Sequence, residues 1–223
     1  MSQFKLYGHP ISPPTNIALS IARFLKLPFE FVVVDILTGE THQPSFASKN
    51  PAKKVPLYEE DDFLLSESCA IAKYLCDRGS GTSLYPRDLE TRALIDQHIG
   101  ILNDMRNAQS NYTFLVFFGP KMRGLSEEPE KASAAHDVVV KFLKYYEGIF
   151  ADKEKKYILD QLTIADFMLA VQLQYSVIIK DIWNIQAEFP NIARYYNALT
   201  WAHSHFKTEL DAYNETVKKF LSK

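Results

Sequence analysis

The hydrophobic period of this chain changes once, near residue 80, and that change limits the architecture more than any other feature. Before it, apolar residues come in strand-length runs broken by proline, glycine and polar turns; after it, they recur at spacings of three and four. Phe4-Lys5-Leu6-Tyr7 alternates as a first strand would, and Gly8-His9-Pro10 breaks it. Ile17, Ala18, Ile21, Ala22 and Leu25 form a helical stripe, and the β-branched run Phe31-Val32-Val33-Val34 reads as a second strand. A short helix is expected around Ser45 to Ser48. Val55-Pro56-Leu57-Tyr58 reads as a strand, Glu59 to Asp62 as a turn and Phe63-Leu64-Leu65 as a further apolar run. Ser66-Glu67-Ser68 then opens a helix whose buried face carries Ala70, Ile71, Tyr74 and Leu75.

Arg78-Gly-Ser-Gly-Thr-Ser-Leu-Tyr-Pro86 reads as a flexible linker. Beyond it a long helix is expected from about Asp88, carrying Leu94, Ile101, Leu102 and Met105, with an interruption near Asn111 and a stop at Gly119-Pro120. A second runs from about Glu127 to Phe150. A third starts at Leu162, where Thr163 caps and Asp166 reaches back as a capping box, with Leu162 and Phe167 as its hydrophobic staple. Phe189-Pro190-Asn191 opens another helix, and Trp201 to Leu221 supplies the last.

With 223 residues the chain has room for one domain or two small ones. A net charge of -2 provides no basic field for nucleic acid or an anionic membrane. No apolar run reaches the roughly 18 to 20 residues of a membrane span, and the N-terminus lacks a secretion signal. The two cysteines, Cys69 and Cys76, share one helix at a spacing that forbids a disulfide between them. These features point to a reduced cytoplasmic protein, with no membrane or nucleic-acid partner.

Asn50-Pro-Ala-Lys-Lys-Val-Pro56, a strand and acidic turn, then Glu67-Ser-Cys-Ala-Ile71 resembles the glutathione-binding stretch of cytosolic glutathione transferases. The Lys-Lys-Val-Pro wording is closest to the theta class, with delta and phi as relatives. The capping box at Thr163 to Asp166 is a further match, placed as in the second domain of that family. The resemblance implies an α/β thioredoxin-like N-terminal domain over residues 1–78, a linker over 79–87, and an all-α helical-bundle domain over 88–223 that contributes an electrophile site.

Ser12, followed by Pro13-Pro14 at a helix entry, is on its own a good helix cap. The resemblance gives it another role: the serine that donates a hydrogen bond to the glutathione sulfur. Tyr7 is the alternative activator, as in tyrosine-type transferases, but the Arg-Gly-Arg that usually follows that tyrosine is absent, so Tyr7 reads as a strand residue. Ser12-Pro-Pro-Thr15 stands where a thioredoxin carries two cysteines, so dithiol chemistry is excluded. By resemblance, Val55 pairs its backbone with the cysteinyl unit, Pro56 is the cis-proline of the fold, and Glu67 and Ser68 hold the γ-glutamyl end. Lys54 lies near the glycyl carboxylate, although Lys53 and Lys54 also read as a solvated pair. The family histidine at that end falls at Thr41, with His42 one position off. The electrophile site is expected among Tyr112, Phe114, Phe117 and Phe118, with Arg106 near the thiol.

The resemblance thus implies a homodimeric, metal-free enzyme that conjugates glutathione to small hydrophobic electrophiles. A glutathione-dependent peroxidase or isomerase on the same scaffold, or a non-catalytic relative, are the alternatives.

Overall fold

The computed structural model describes residues 3–79, 83–178 and 185–202, with positions 211 and 215. The N-terminal domain is built on a four-stranded sheet of order β2-β1-β3-β4. Its strands are β1 (Phe4–Gly8), β2 (Phe29–Val33), β3 (Leu57–Glu60) and β4 (Phe63–Ser66). β1 and β2 run parallel, joined by helix α1 (Pro13–Phe24), while β3 and β4 are antiparallel neighbours. Alternation in β1 sends Phe4 and Leu6 into the core, against the Ile17, Ala18, Ile21 and Ala22 stripe of α1. The short helix α2 spans Pro44–Ala47, and α3 (Ser68–Arg78) closes the domain.

Three boundaries differ from the sequence reading. β3 starts at Leu57 rather than Val55, since Pro56 has no N–H for the ladder; the Val55–Pro56 bond is cis. It runs on to Glu60, so the turn is only Asp61-Asp62, with Asp61 at φ 51°. Ser66 ends β4, and Glu67 sits at φ 72°, so α3 begins at Ser68.

The C-terminal domain is helical. α4 (Leu89–Thr113) is capped by Asp88, whose carboxylate accepts the Thr91 N–H at 2.9 Å. Gly119-Pro120 does not stop it. A π-helical turn at Phe114–Phe118 leads into α5 (Gly119–Arg123), and the chain leaves at Gly124 with φ 61°. The wider turn accommodates a proline that has no N–H to give, and the Gly119 carbonyl accepts from Leu125 at 3.2 Å. A Cβ on Gly119 would lie 2.9 Å from the Phe114 carbonyl oxygen. α6 (Pro129–Ile149), α7 (Ile164–Ile178), α8 (Ile185–Glu188) and α9 (Pro190–Ala202) follow. Glu147 of α6 caps α9, accepting the Asn191 and Ile192 N–H groups at 3.0 and 2.9 Å. The helix expected over Trp201 to Leu221 falls almost entirely outside the described residues. Among the described residues, no helix is long and apolar enough to cross a membrane.

The segment read as a flexible linker is packed where it is described. Leu84 and Tyr85 are buried, the Leu84 carbonyl accepts the Ile164 N–H at 3.1 Å, and the Tyr85 hydroxyl reaches Asp96 at 3.0 Å. One apolar core runs through α1, α3, α4 and α7, with Phe24 meeting Phe167 edge-on at 5.3 Å. A polar ladder joins α3 to α4: Cys69 to Asn103 at 3.4 Å, Lys73 to Asp96 at 2.9 Å, and Asp77 to Arg92 at 2.7 Å.

Asp166 anchors the start of α7. Its buried carboxylate accepts from the Thr163 N–H (2.8 Å) and hydroxyl (3.1 Å), the Ile158 N–H (2.8 Å) and the Tyr195 hydroxyl (2.9 Å). Burial pushes its pKa up to about 6 in spite of these donors. Ionisation of Asp166 therefore opposes folding: its favourable contribution is complete below the ordinary value of 3.8 and is lost as pH rises through about 6. Asp166→Ala strands buried donors and should lower unfolding free energy by about 2–4 kcal/mol. Denaturant titrations between pH 4 and 7 should also show that it loses this component of the pH dependence.

Candidate active site

The strand register gathers one edge of the sheet. Tyr7 faces Leu57 and Leu57 faces Ser66, so the exit of β1, the entry of β3 and the exit of β4 lie together. Gly8 faces Val33 in the parallel pair, which brings the exit of β2 to the same edge. In a sheet of this kind the crevice at strand ends is where ligands sit.

The turn leaving β1 uses up its own backbone donors. Gly8 lets the chain pass against Thr15; a Cβ there would fall 2.3 Å from the Thr15 methyl. The His9 N–H donates to Thr15 Oγ1 (3.4 Å), Ile11 N–H to His9 Nδ1 (3.2 Å), and Ser12 N–H to the His9 carbonyl (2.9 Å). Thr15 N–H donates to Ser12 Oγ at 3.4 Å and Asn16 N–H to the Ser12 carbonyl at 3.0 Å. Pro10, Pro13 and Pro14 have no N–H. The cap uses only a lone pair of the Ser12 oxygen, which leaves its hydroxyl proton to donate.

Ser12 lines a cleft of about 550 Å³. Ile11, Pro13, Ile36 and Leu37 form the wall on its side. Ser110, Phe114 and Phe118, spaced four apart through the π-helical turn, form the other, with Arg123 beyond them. His9 connects two parts of the first wall. Its Nδ1 accepts from Ile11, and its Nε2 faces Asp35 Oδ1 at 3.9 Å. The same Asp35 oxygen accepts the Leu37 and Thr38 N–H groups at 2.8 and 3.3 Å. Burial holds the His9 pKa below its ordinary value, against the pull of Asp35. The ring is therefore neutral at pH 7, with its proton on Nε2.

Tyr7 turns away from the cleft. Its hydroxyl accepts from Lys49 Nζ at 3.0 Å, and that ammonium also bonds Glu59 at 2.6 and 2.7 Å. Val55 is half-buried at the shared edge, and the Lys54 carbonyl accepts from Asn50 Nδ2 at 2.7 Å, which folds the Asn50-to-Val55 loop. The Lys53 and Lys54 side chains are exposed. Glu67 is exposed, and Ser68 is buried at the first position of α3. His42 is exposed in a single 3₁₀ turn, Glu40–His42, while Thr41 beside it is buried; neither lines the cleft.

On the helical side, Phe114 and Phe118 face the cleft, but Tyr112 and Phe117 do not. Tyr112 meets His136 of α6 edge-on at 5.5 Å, and Phe117 stands against Phe118 at 5.2 Å. Arg106 lies beneath Pro13 beside Gln109, Ser110 and Gln172 rather than in the cleft itself. Sequence reasoning missed Arg123, Ile36 and Leu37, which carry no motif, and the π turn that sets which aromatics face inward. Cys69 and Cys76 are free thiols, and burial pushes the Cys76 thiol up to about 12, far from reactive.

Residues 2–77 match the glutathione S-transferase N-terminal domain, and residues 129–198 the C-terminal domain of the same family. The chain belongs to the glutathione S-transferase family. It is thus an enzyme with glutathione as co-substrate. Glutathione S-transferase 1 of Manduca sexta is 35% identical over 144 residues, covering 62% of this chain and 65% of that protein. Glutathione S-transferase D7 of Drosophila melanogaster is 27% identical over 224 residues, covering 99% and 94%. A glutathione transferase homologue from Drosophila mojavensis, solved with bound glutathione, superposes with a TM-score of 0.77 at 27% identity, covering 96% of this chain and 98% of that one.

Protonating His9 would place a proton on the nitrogen that accepts from Ile11. Because its folded pKa is lowered, the stability it confers is present above its ordinary value of 6.5 and is lost as pH falls. In His9→Asn the side-chain oxygen can accept the same N–H two residues on. Its melting temperature should therefore fall less than that of the wild type between pH 8 and pH 5.5. His9→Phe leaves the Ile11 N–H unpartnered and should cost about 1–3 kcal/mol at pH 8, read by urea unfolding.

Proposed function

We propose that the enzyme conjugates glutathione to small hydrophobic electrophiles, with the thiolate held by the Ser12 hydroxyl. The observation that carries this reading is the free hydroxyl proton of Ser12 on a turn whose N–H groups are otherwise spent, at the wall of an apolar cleft. Capping and thiol activation are then compatible, since one uses the oxygen lone pair and the other the proton.

A free thiol has a pKa of about 8.5, and its thiolate is the nucleophile. Lowering it by about two units takes roughly 2.7 kcal/mol. One charge-assisted hydrogen bond supplies about 1.5–3 kcal/mol, and the N-terminus of the 12-residue α1 adds about 0.3–1. The sulfur then attacks the electrophilic carbon, a C–S bond forms, and the leaving group departs with its electron pair.

The tripeptide lies along the shared sheet edge in this reading. The Val55 backbone pairs with the cysteinyl unit, Glu67 and Ser68 hold the γ-glutamyl end, and Lys54 with His42 stands near the glycyl carboxylate. Glu67 at φ 72° and ψ 113° supports this, because a non-glycine residue held there is strained and such strain gathers at ligand sites. The protein acts as a cytosolic homodimer in this reading.

The test is the thiolate ultraviolet absorbance of bound glutathione against pH. Wild type should titrate about two units below free glutathione, and Ser12→Ala should bind the tripeptide with an unshifted thiol. Turnover of the variant at pH 7 should drop roughly 25-fold, the ratio of thiolate fractions for pKa values of about 6.5 and 8.5. An unshifted thiol in both proteins would leave Ser12 a helix cap alone.

A further inference from the structure

The cleft beside Ser12 is apolar on one side and aromatic on the other, yet it ends in a cation. Arg123 closes α5, lines the same cleft as Ser12, and places its guanidinium 5.4 Å from the centre of the Phe114 ring. Among the described residues lining the cleft, Arg123 carries the only charge, and no described carboxylate lies within ion-pair distance of it. The side chain is exposed, so its charge remains hydrated until a ligand arrives.

We propose that Arg123 makes this cleft selective for aromatic electrophiles that carry an anionic group, a carboxylate or sulfonate, away from the reacting carbon. Phe114 and Phe118 receive the ring, and the guanidinium, which binds carboxylates through paired N–H donors, receives the anion. The proposal rests on the Ser12 reading for the reaction and adds the class of substrate. For an activated aryl chloride the step balances: the thiolate sulfur bonds to the ring carbon, and chloride leaves with the electron pair of the broken C–Cl bond.

Two isosteric probes isolate the charge, 4-chloro-3-nitrobenzoate and 4-chloro-3-nitrobenzamide. Arg123→Gln should raise KM for the carboxylate about fivefold, the size of a partly exposed ion pair, and move KM for the amide less than twofold. Arg123→Lys should restore part of the carboxylate preference. The thiol titration of bound glutathione should be unchanged in both variants. Direct binding of the unreactive 3-nitrobenzoate and 3-nitrobenzamide to the glutathione-loaded protein gives the same comparison without turnover. Equal changes for the two probes, no change for either, or a thiol pKa raised by Arg123→Gln would overturn the proposal. The last outcome would assign the charge to the thiolate. A protein that binds the carboxylate through Arg123 but turns over neither chloride would instead count against conjugation and leave the anion site standing.

Discussion

The contact between Thr15 N–H and Ser12 Oγ is small, and the chemistry proposed for the cleft depends on it. It fixes the serine oxygen at the start of α1 by consuming an acceptor site, and so leaves the hydroxyl proton to whatever occupies the cleft. The two prolines that follow remove the backbone donors that would otherwise compete for an incoming anion. Gly8 is the condition for all of this, since the approach of β1 to Thr15 leaves no room for a side chain. A feature that serves folding, the helix cap, thereby sets up the donor that the proposed thiol activation needs.

A cleft with one wall from each domain is only as well defined as the joint between them. Interfaces between domains are usually small and polar enough to permit motion. Here the core is continuous across the joint, and Tyr85 and Leu84 fill the space expected of a free linker. Lys73, Asp77 and Cys69 add polar contacts along α3, with exposed ion pairs of this kind worth no more than about 1 kcal/mol each. Apolar burial therefore does most of the holding, and the polar ladder sets register. Asp166 contributes at one remove, fixing the start of the helix on which α1 rests through Phe24 and Phe167.

Strands, helices and the reach of Asp166 back to the Thr163 N–H were legible because each rests on local chemistry: alternation, apolar spacing and a carboxylate one turn on; the Thr163 hydroxyl donates to that carboxylate instead of capping the helix. Ser12 was legible as a helix cap, and its cap bond, which uses a lone pair of the oxygen, is compatible with the activating role proposed for it. The misreadings have a common cause. Gly119-Pro120 looks like a stop in one dimension, but the π turn ahead of it lets the helix continue. That same turn places Phe114 and Phe118, not Tyr112 and Phe117, on the cleft. Tyr7, read as a strand residue, is held by Lys49 and Glu59, which lie 42 and 52 positions away in the chain and so leave no local signal.

The two walls answer to different constraints. On the N-terminal side each residue of the turn is committed: Gly8 by space, His9 by Ile11 and Asp35, Ser12 by Thr15. A substitution there disturbs several bonds at once, so the geometry of the turn has little freedom to drift. The opposite wall is a helix face, with the rings of Phe114 and Phe118 and the guanidinium of Arg123 reaching the cleft. Exchanging one of these changes shape or charge in the cleft without disturbing the serine. In the proposed reading nucleophile activation and electrophile choice are thus carried by separate elements of the chain, so a charge at Arg123 can act on what enters the cleft while the Ser12 turn keeps its bonds.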